Sequence, residues 1–268
     1  MAIELEQVGK TFRSARGEAD VLRDVDLSVE AGRIVALVGR SGSGKSTLLK
    51  LVAGLARPSA GRVLANGQPV SRPPQGVRYV FQDYSNSLFP WLTVGANIRF
   101  GLRHGDGQFR RSETQARVQE LLGAVGLQPE VARQWPAHLS GGMQQRVAIA
   151  RALAAEPGVL LMDEPFGAVD ELNRATLQDL LLRIAAERRL TVLLVTHDIE
   201  EAIYLADRVV VLGEGAEGLI GDLEVSLARP RHQLDTREDP AFLALRRELV
   251  ELVLAREATP IGAGDARP

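Results

Sequence analysis

Five consecutive apolar residues, Ile34-Val35-Ala36-Leu37-Val38, run straight into Gly39-Arg40-Ser41-Gly42-Ser43-Gly44-Lys45-Ser46-Thr47. A run with no polar face suits a strand covered on both sides, as in a parallel sheet between two layers. The residues from Lys45 to Leu55 read as a helix, so a glycine loop joins a buried strand to a helix start. Glycines let backbone N–H groups turn inward around a polyphosphate, and the helix start adds a favourable field. Lys45 places a cation on the phosphates and the Ser46 hydroxyl can ligate Mg²⁺, with Gly39, Ser41, Gly42, Gly44 and Thr47 completing the cradle. The alternative is a chance glycine-rich turn. The strand before and the helix after weigh against it.

The rest of the chain repeats this alternation. Ile3 to Val8 and Val21 to Val29 alternate as half-buried strands, and Asn66-Gly67 is a hairpin signal. Strands are expected at Arg78–Phe81, Val159–Met162, Thr191–Val195 and Arg208–Leu212. Helices are expected at about 171–188 and 199–206. Between about 84 and 156 the apolar residues recur at helical spacing. The pattern reads as a mainly parallel sheet wrapped by helices, with a helical insertion. A further helix is expected at 239–255, and residues 256–268 read as disordered.

Composition removes several function classes. A net charge of −2 gives no basis for general nucleic-acid binding. No run of eighteen apolar residues exists to span a membrane, and the first residues lack a signal-peptide pattern. The absence of cysteine removes disulfides, thiolate metal sites and cysteine nucleophiles. Lys10, Lys45 and Lys50 are the only lysines, which makes the one inside a glycine loop more telling.

Four further features carry chemistry. Leu139-Ser140-Gly141-Gly142-Met143-Gln144-Gln145-Arg146 sets a hydroxyl and two glycines before a helical pattern, a second anion-type helix start. The strand Leu160-Leu161-Met162 ends in Asp163-Glu164, where Asp163 can hold Mg²⁺ and Glu164 can orient or deprotonate water. Taken alone, such a pair often only caps the next helix. His197 follows the strand Thr191–Thr196, whose end faces the same place as the glycine loop in a parallel sheet. Its structural alternative is an ordinary strand-end histidine. Gln82 ends another strand, where it either senses Mg²⁺ and water or is a plain loop residue.

In order and spacing these elements resemble the ATP-binding subunit of ABC transporters over about residues 3–225. They match its P-loop (39–47), Q-loop (Gln82), Leu-Ser-Gly-Gly signature (139–142), Walker B strand (159–164) and switch histidine (His197). The resemblance implies an α/β P-loop NTPase fold with a mainly parallel sheet core, an N-terminal antiparallel β subdomain and an inserted helical subdomain. The ATPase domain would span 1–225, with the helical subdomain at about 84–156, and a tail with one short helix would occupy 226–268. Phe12 stands where the family stacks an aromatic on adenine. In Gly167-Ala168-Val169-Asp170, Asp170 matches the D-loop aspartate and Gly167 replaces the usual serine.

The resemblance further implies an ATP- and Mg²⁺-dependent hydrolase, with Lys45, Gln82, Glu164 and His197 catalytic and Ser46, Gln82 and Asp163 at the metal. ATP would be held by Phe12, Gly39, Ser41, Gly42, Gly44, Lys45, Ser46 and Thr47. Ser140, Gly141, Gly142 and Asp170 of a second copy would complete the site in a head-to-tail dimer. Expected partners are a membrane permease and an extracytoplasmic solute-binding protein, with the chain peripheral on the cytoplasmic face of the bacterial inner membrane. The runs Leu88–Val94 and Tyr204–Arg208 resemble importers of nitrate, sulfonate and taurine, so the expected cargo is a small anion. Phe89 and Trp91 either line the permease groove or pack within the helical insertion. The competing readings are a soluble ABC ATPase in a non-transport process and a non-catalytic nucleotide module. A single ATPase unit without long heptads disfavours the first, and the presence of Lys45 and Glu164 disfavours the second.

Overall fold

The computed structural model describes residues 2–14, 17–83, 87–105, 111–167, 169–214 and 217–254. The expected disordered end and Ala168 lie outside them. Two sheets organise the molecule. One is formed by β3 (Ile34–Val38), β6 (Val77–Val80), β7 (Val159–Asp163), β8 (Thr191–Val195), β9 (Arg208–Leu212) and β10 (Leu219–Glu224), six strands in the order β10-β9-β3-β8-β7-β6. All neighbours in it are parallel except the edge pair β10–β9. The other sheet is antiparallel, built from β1 (Ile3–Ser14), β2 (Gly17–Val29), β4 (Ala60–Ala65) and β5 (Gln68–Pro69) in the order β2-β1-β4-β5.

The continuous apolar runs follow from burial on both faces. In β3, Ile34, Ala36 and Val38 enter one core while Val35 and Leu37 enter a second. β7 and β8 divide in the same way: Leu160, Met162, Val192 and Leu194 face the first core, and Leu161, Leu193 and Val195 the second. The second core joins the antiparallel sheet, through Ile3, Leu5 and Val8, to helix α1 (Lys45–Val52). The first core is covered by α2 (Val94–Arg103), α3 (Arg111–Ala124), α4 (Gly141–Ala154), α5 (Glu171–Arg188), α6 (Ile199–Leu205) and α8 (Pro240–Leu254), with the short α7 (Asp235–Glu238) between the last two. Because β3, β6, β7 and β8 run in parallel, the residues after them gather at one edge of the sheet: the glycine loop, Gln82, Glu164 and His197.

Two boundaries differ from expectation. Helix α1 stops at Val52 rather than Leu55, because Gly54 takes φ 67° and the N–H groups of Leu55 and Ala56 fold back to Lys50 O. This is a glycine-terminated helix end, and Leu55 beyond it is half exposed despite its apolar side chain. Strand β1 continues to Ser14, well past Val8, and register shifts opposite β2 after Leu5 break its alternation. The expected helix at 239–255 is seen as Pro240–Leu254, with proline at its first position.

Candidate active site

The glycine loop wraps the Lys45 ammonium. Lys45 Nζ donates to Gly39 O at 2.8 Å, Arg40 O at 2.7 Å and Ser43 Oγ at 3.4 Å. Two positions require glycine. A Cβ on Gly39, at φ 151°, would lie 2.4 Å from Leu212 O. Gly44 takes φ 97° as the residue before α1, and a Cβ there would lie 2.9 Å from both Val21 Cγ1 and Leu22 Cδ2. Burial lowers the Lys45 pKa, and the carboxylates of Glu164 and Asp163 oppose that shift. A buried ammonium inside a glycine loop at a helix start is suited to a polyphosphate.

Next to the loop, Ser46 Oγ donates to Asp163 Oδ1 and Tyr79 OH donates to Asp163 Oδ2, both at 2.8 Å. Asp163 is buried, and both its oxygens are thereby fixed. Burial first, then the charge of Asp163, raises the Tyr79 pKa and keeps its hydroxyl a donor. Ser46 and Asp163 are hard oxygen donors in contact, a set that fits Mg²⁺, which keeps several waters and takes phosphate oxygens. Among the described residues, no group of three or more His, Cys, Asp and Glu could hold a metal alone.

A second cluster centres on Glu164. Its Oε2 accepts from Gln82 Nε2 at 3.0 Å and lies 3.4 Å from His197 Nδ1. The Glu164 backbone is left-handed at φ 44°, a strained conformation for a non-glycine residue, directly after β7. Its N–H is tied to Val195 O at 2.9 Å. Gln82 is exposed and the His197 side chain is 65% exposed, so this cluster opens to solvent. A Cβ on Gly167 would sit 3.8 Å from Glu164 Oε2, which places the glycine substitution directly over this carboxylate.

The Ser140 element lies elsewhere. Ser140 caps α4, accepting from Met143 N at 3.4 Å, and Ser140 and Gly141 are exposed. The neighbours a Cβ on Gly142 would meet are Asn173 and Val169. Asp170 caps α5 by accepting from Asn173 N at 3.1 Å and Asn173 Nδ2 at 2.7 Å. The signature turn and Asp170 therefore share one surface. The groups that hold the signature turn are not those that hold the Lys45 ammonium and Ser46. Gln144 and Arg146 brace the helix to Pro136 O, Leu139 O and Val125 O, and Gln145 donates to Pro165 O beside Glu164. Phe12 is 47% exposed near the end of the β1–β2 hairpin, with Lys10 Nζ 5.0 Å from its ring.

Phe89 borders a groove of about 680 Å³ lined also by Tyr79, Phe81, Phe100, His104 and Arg151. Phe89 is partly buried and Trp91 is 68% exposed, their ring centroids 5.5 Å apart. Buried Asn97 holds the Phe89–Thr93 turn: it accepts from Phe89 N and donates to the carbonyls of Phe89, Leu92 and Thr93. Sequence reasoning missed Asn97, whose amide closes a local turn, and Tyr79, whose hydroxyl reaches Asp163 84 residues away. It also missed Glu201, which burial pushes up to about 7 against hydrogen bonds from Thr196 and Gln178. The one available signal was a polar residue at a core position of a helical pattern.

The model of a family described as "ABC transporter" matches residues 22–167. The nitrate import ATP-binding protein NrtD of Synechococcus elongatus is 44% identical over 96% of this chain and 93% of its own length. The aliphatic sulfonates import ATP-binding protein SsuB 2 of Pseudomonas aeruginosa is 48% identical over 91% of this chain and 83% of its own. Other relatives at 44% identity are longer, and the chain spans 37% of their length. Among solved structures, the dimeric post-hydrolysis state of the ATP-binding cassette MJ0796 bound to ADP and Pi superposes with a TM-score of 0.74 at 31% identity. It covers 83% of this chain and 98% of the cassette.

Proposed function

This chain belongs to the ABC transporter family as an ATP-hydrolysing subunit, and on that premise we propose that it energises import of a small anion, of nitrate or sulfonate type, through a separate membrane permease. The observation that carries the catalytic part is the gathering of Lys45, the Ser46–Asp163 pair and the Gln82–Glu164–His197 cluster at one sheet edge. The anion class rests on the names of the relatives, since this subunit does not touch the cargo.

Lys45 and the loop N–H groups bind the β- and γ-phosphates, and Phe12 stacks on the base. Ser46, Asp163 and Gln82 would hold Mg²⁺, which would supply charge neutralisation for the phosphates. Glu164 takes a proton from the attacking water as its oxygen bonds to the γ-phosphorus and the bond to the ADP oxygen breaks. His197 donates toward the phosphoryl oxygens, where charge develops. Gln82 and His197 both contact Glu164 and thereby orient the base. The exposed Ser140–Gly142 turn and Asp170 of a second copy close over the nucleotide, so ATP joins two chains head to tail. The groove beside Tyr79, Phe81 and Phe89, with Trp91 at its rim, receives a cytoplasmic segment of the permease, which places the chain peripherally on that membrane face. An extracytoplasmic binding protein delivers the anion.

Glu164→Gln tests the assignment. Removing the base while keeping the side chain's shape lowers ATP hydrolysis about 100-fold or more, yet leaves ATP binding intact. Size-exclusion chromatography with ATP then shows a stable dimer. Hydrolysis at the wild-type rate in that variant excludes Glu164 as the base.

A further inference from the structure

Glu201 is a carboxylic acid 3% exposed in a helix that the mechanism above does not use. Burying such a group is costly unless its hydrogen bonds are met, and replacement by an apolar residue of similar size is often neutral or stabilising. Its partners are specific. Gln178 Nε2, from α5, donates to Glu201 Oε2 at 3.1 Å, and the Thr196 hydroxyl bonds to the same carboxylate. Thr196 immediately precedes His197, and its Oγ1 also accepts from Asp198 N at 3.0 Å. Asp198 Oδ1 in turn accepts from Glu201 N at 3.0 Å. The turn that carries His197 is thus held on both sides, and Glu201 anchors both bonds. Glu201 also lines a cavity of about 40 Å³ together with Glu164, His197, Arg174 and Asp198, directly behind the reacting cluster.

The anchor continues away from the site. Gln178 is 1% exposed, and its Oε1 accepts from Gln233 Nε2 and from Arg237 Nη2, each at 3.4 Å. Gln233 also donates to Ala175 O and to Asp179 Oδ1, and Arg237 pairs with Glu200 at 3.0 Å. An unbroken run of hydrogen bonds therefore joins the C-terminal segment to the His197 turn, in the order Arg237 or Gln233, Gln178, Glu201, Thr196.

We infer that Gln178 and Glu201 form a positioning pair that sets the place of His197 against the reacting phosphate, with the C-terminal segment as its fixed end. The inference rests on the reading that His197 acts at that phosphate. Misplacing a group in a site by about 1 Å can cost up to about 100-fold in rate, so the pair acts on turnover rather than on ATP affinity.

A reciprocal exchange tests it. Glu201→Gln turns one of the two carboxylate oxygens into an N–H donor, which then faces either the Gln178 N–H or the Thr196 hydroxyl, and a flipped Gln178 would instead face Gln233 and Arg237 with its N–H. Gln178→Glu alone sets two carboxylates together. When Gln178→Glu and Glu201→Gln are combined, every bond returns. The amide now at position 201 donates to the carboxylate now at position 178 and accepts from Thr196, and that carboxylate accepts from Gln233 and Arg237. Each single variant is expected to lower kcat about tenfold with ATP Kd unchanged, and the double variant to return to within about threefold of wild type. Single variants with wild-type kcat overturn the inference. So does a double variant with wild-type melting temperature that stays as slow as the singles. His197→Ala separates the two levels of the argument. If it keeps the wild-type rate, the reading of His197 has failed. If it is inactive while Glu201→Gln is fully active, only the positioning pair has failed.

Discussion

Helices α1 and α4 both begin at glycine-rich turns, and both offer an anion the same field at the same kind of terminus. They are finished differently. Helix α1 starts from Gly44 in a left-handed conformation with no side-chain cap, and the loop before it folds around the buried Lys45. Helix α4 starts from an exposed Ser140 whose own hydroxyl caps the helix, with no basic residue in the turn and Gly141 open to solvent. The first is a cradle with its own counter-charge, its walls supplied by one chain. The second can hold an anion only when another surface presents it. On the proposed reading, a phosphate-type turn without a cation or enclosure is half of a site whose other half comes from a second copy.

The largest expected effect separates these halves. Lys45→Ala abolishes ATP binding and hydrolysis. Ser140→Arg abolishes hydrolysis and leaves ATP binding at Lys45 unchanged, because its bulk blocks only the joint with the second copy. Each variant retains the half that the other lacks, so mixing the two inactive proteins restores activity through mixed dimers. Random pairing of independent sites sets the ceiling at about a quarter of the wild-type rate. A mixture as dead as its components shows that both elements serve one chain's own site. Loss of ATP binding in Ser140→Arg leads to the same conclusion.

The next effect concerns how the two turns are built. Gly44→Ala forces a side chain into φ 97° and against Val21 and Leu22. Left-handed backbone in a non-glycine residue costs about 1–2 kcal/mol before the clash is counted. Melting temperature is expected to fall by several degrees, with ATP binding weakened in parallel as the loop shifts. Unchanged stability would mean that the α1 start is set by the nucleotide rather than by the packing of β2 against it.

Much of this was legible in the sequence because its causes are local. The runs 34–38, 159–162 and 191–195 read as strands since both their faces meet apolar cores, which removes any polar alternation. Asp163, Glu164 and His197 were legible as strand-end polar residues in a parallel pattern, which brings such ends together. What escaped was long-range. Tyr79 looked like a strand aromatic until its hydroxyl met Asp163, 84 residues away. Gln178 and Glu201 lie on two helices whose crossing no periodicity announces. The early stop of α1 was written in Gly54, but the apolar Leu55 after it continued the helical pattern and hid the signal.

The smallest expected effect is the most discriminating about Ser140. Within one chain its hydroxyl does a modest job, a helix cap through a single long bond to Met143 N at 3.4 Å. Ser140→Ala is therefore expected to cost no more than about 1 kcal/mol, since capping serines contribute about that much. In a chain of this size that is a drop of about 2–4 °C in melting temperature. Ser140→Asp keeps an oxygen at the cap and holds the melting temperature near wild type, but sets a carboxylate where the second copy's phosphate must dock. If the turn serves only the fold, the aspartate variant hydrolyses ATP normally and the alanine variant is the poorer of the two. If it is half of a shared site, the order reverses: alanine retains partial hydrolysis and aspartate, the more stable protein, has almost none.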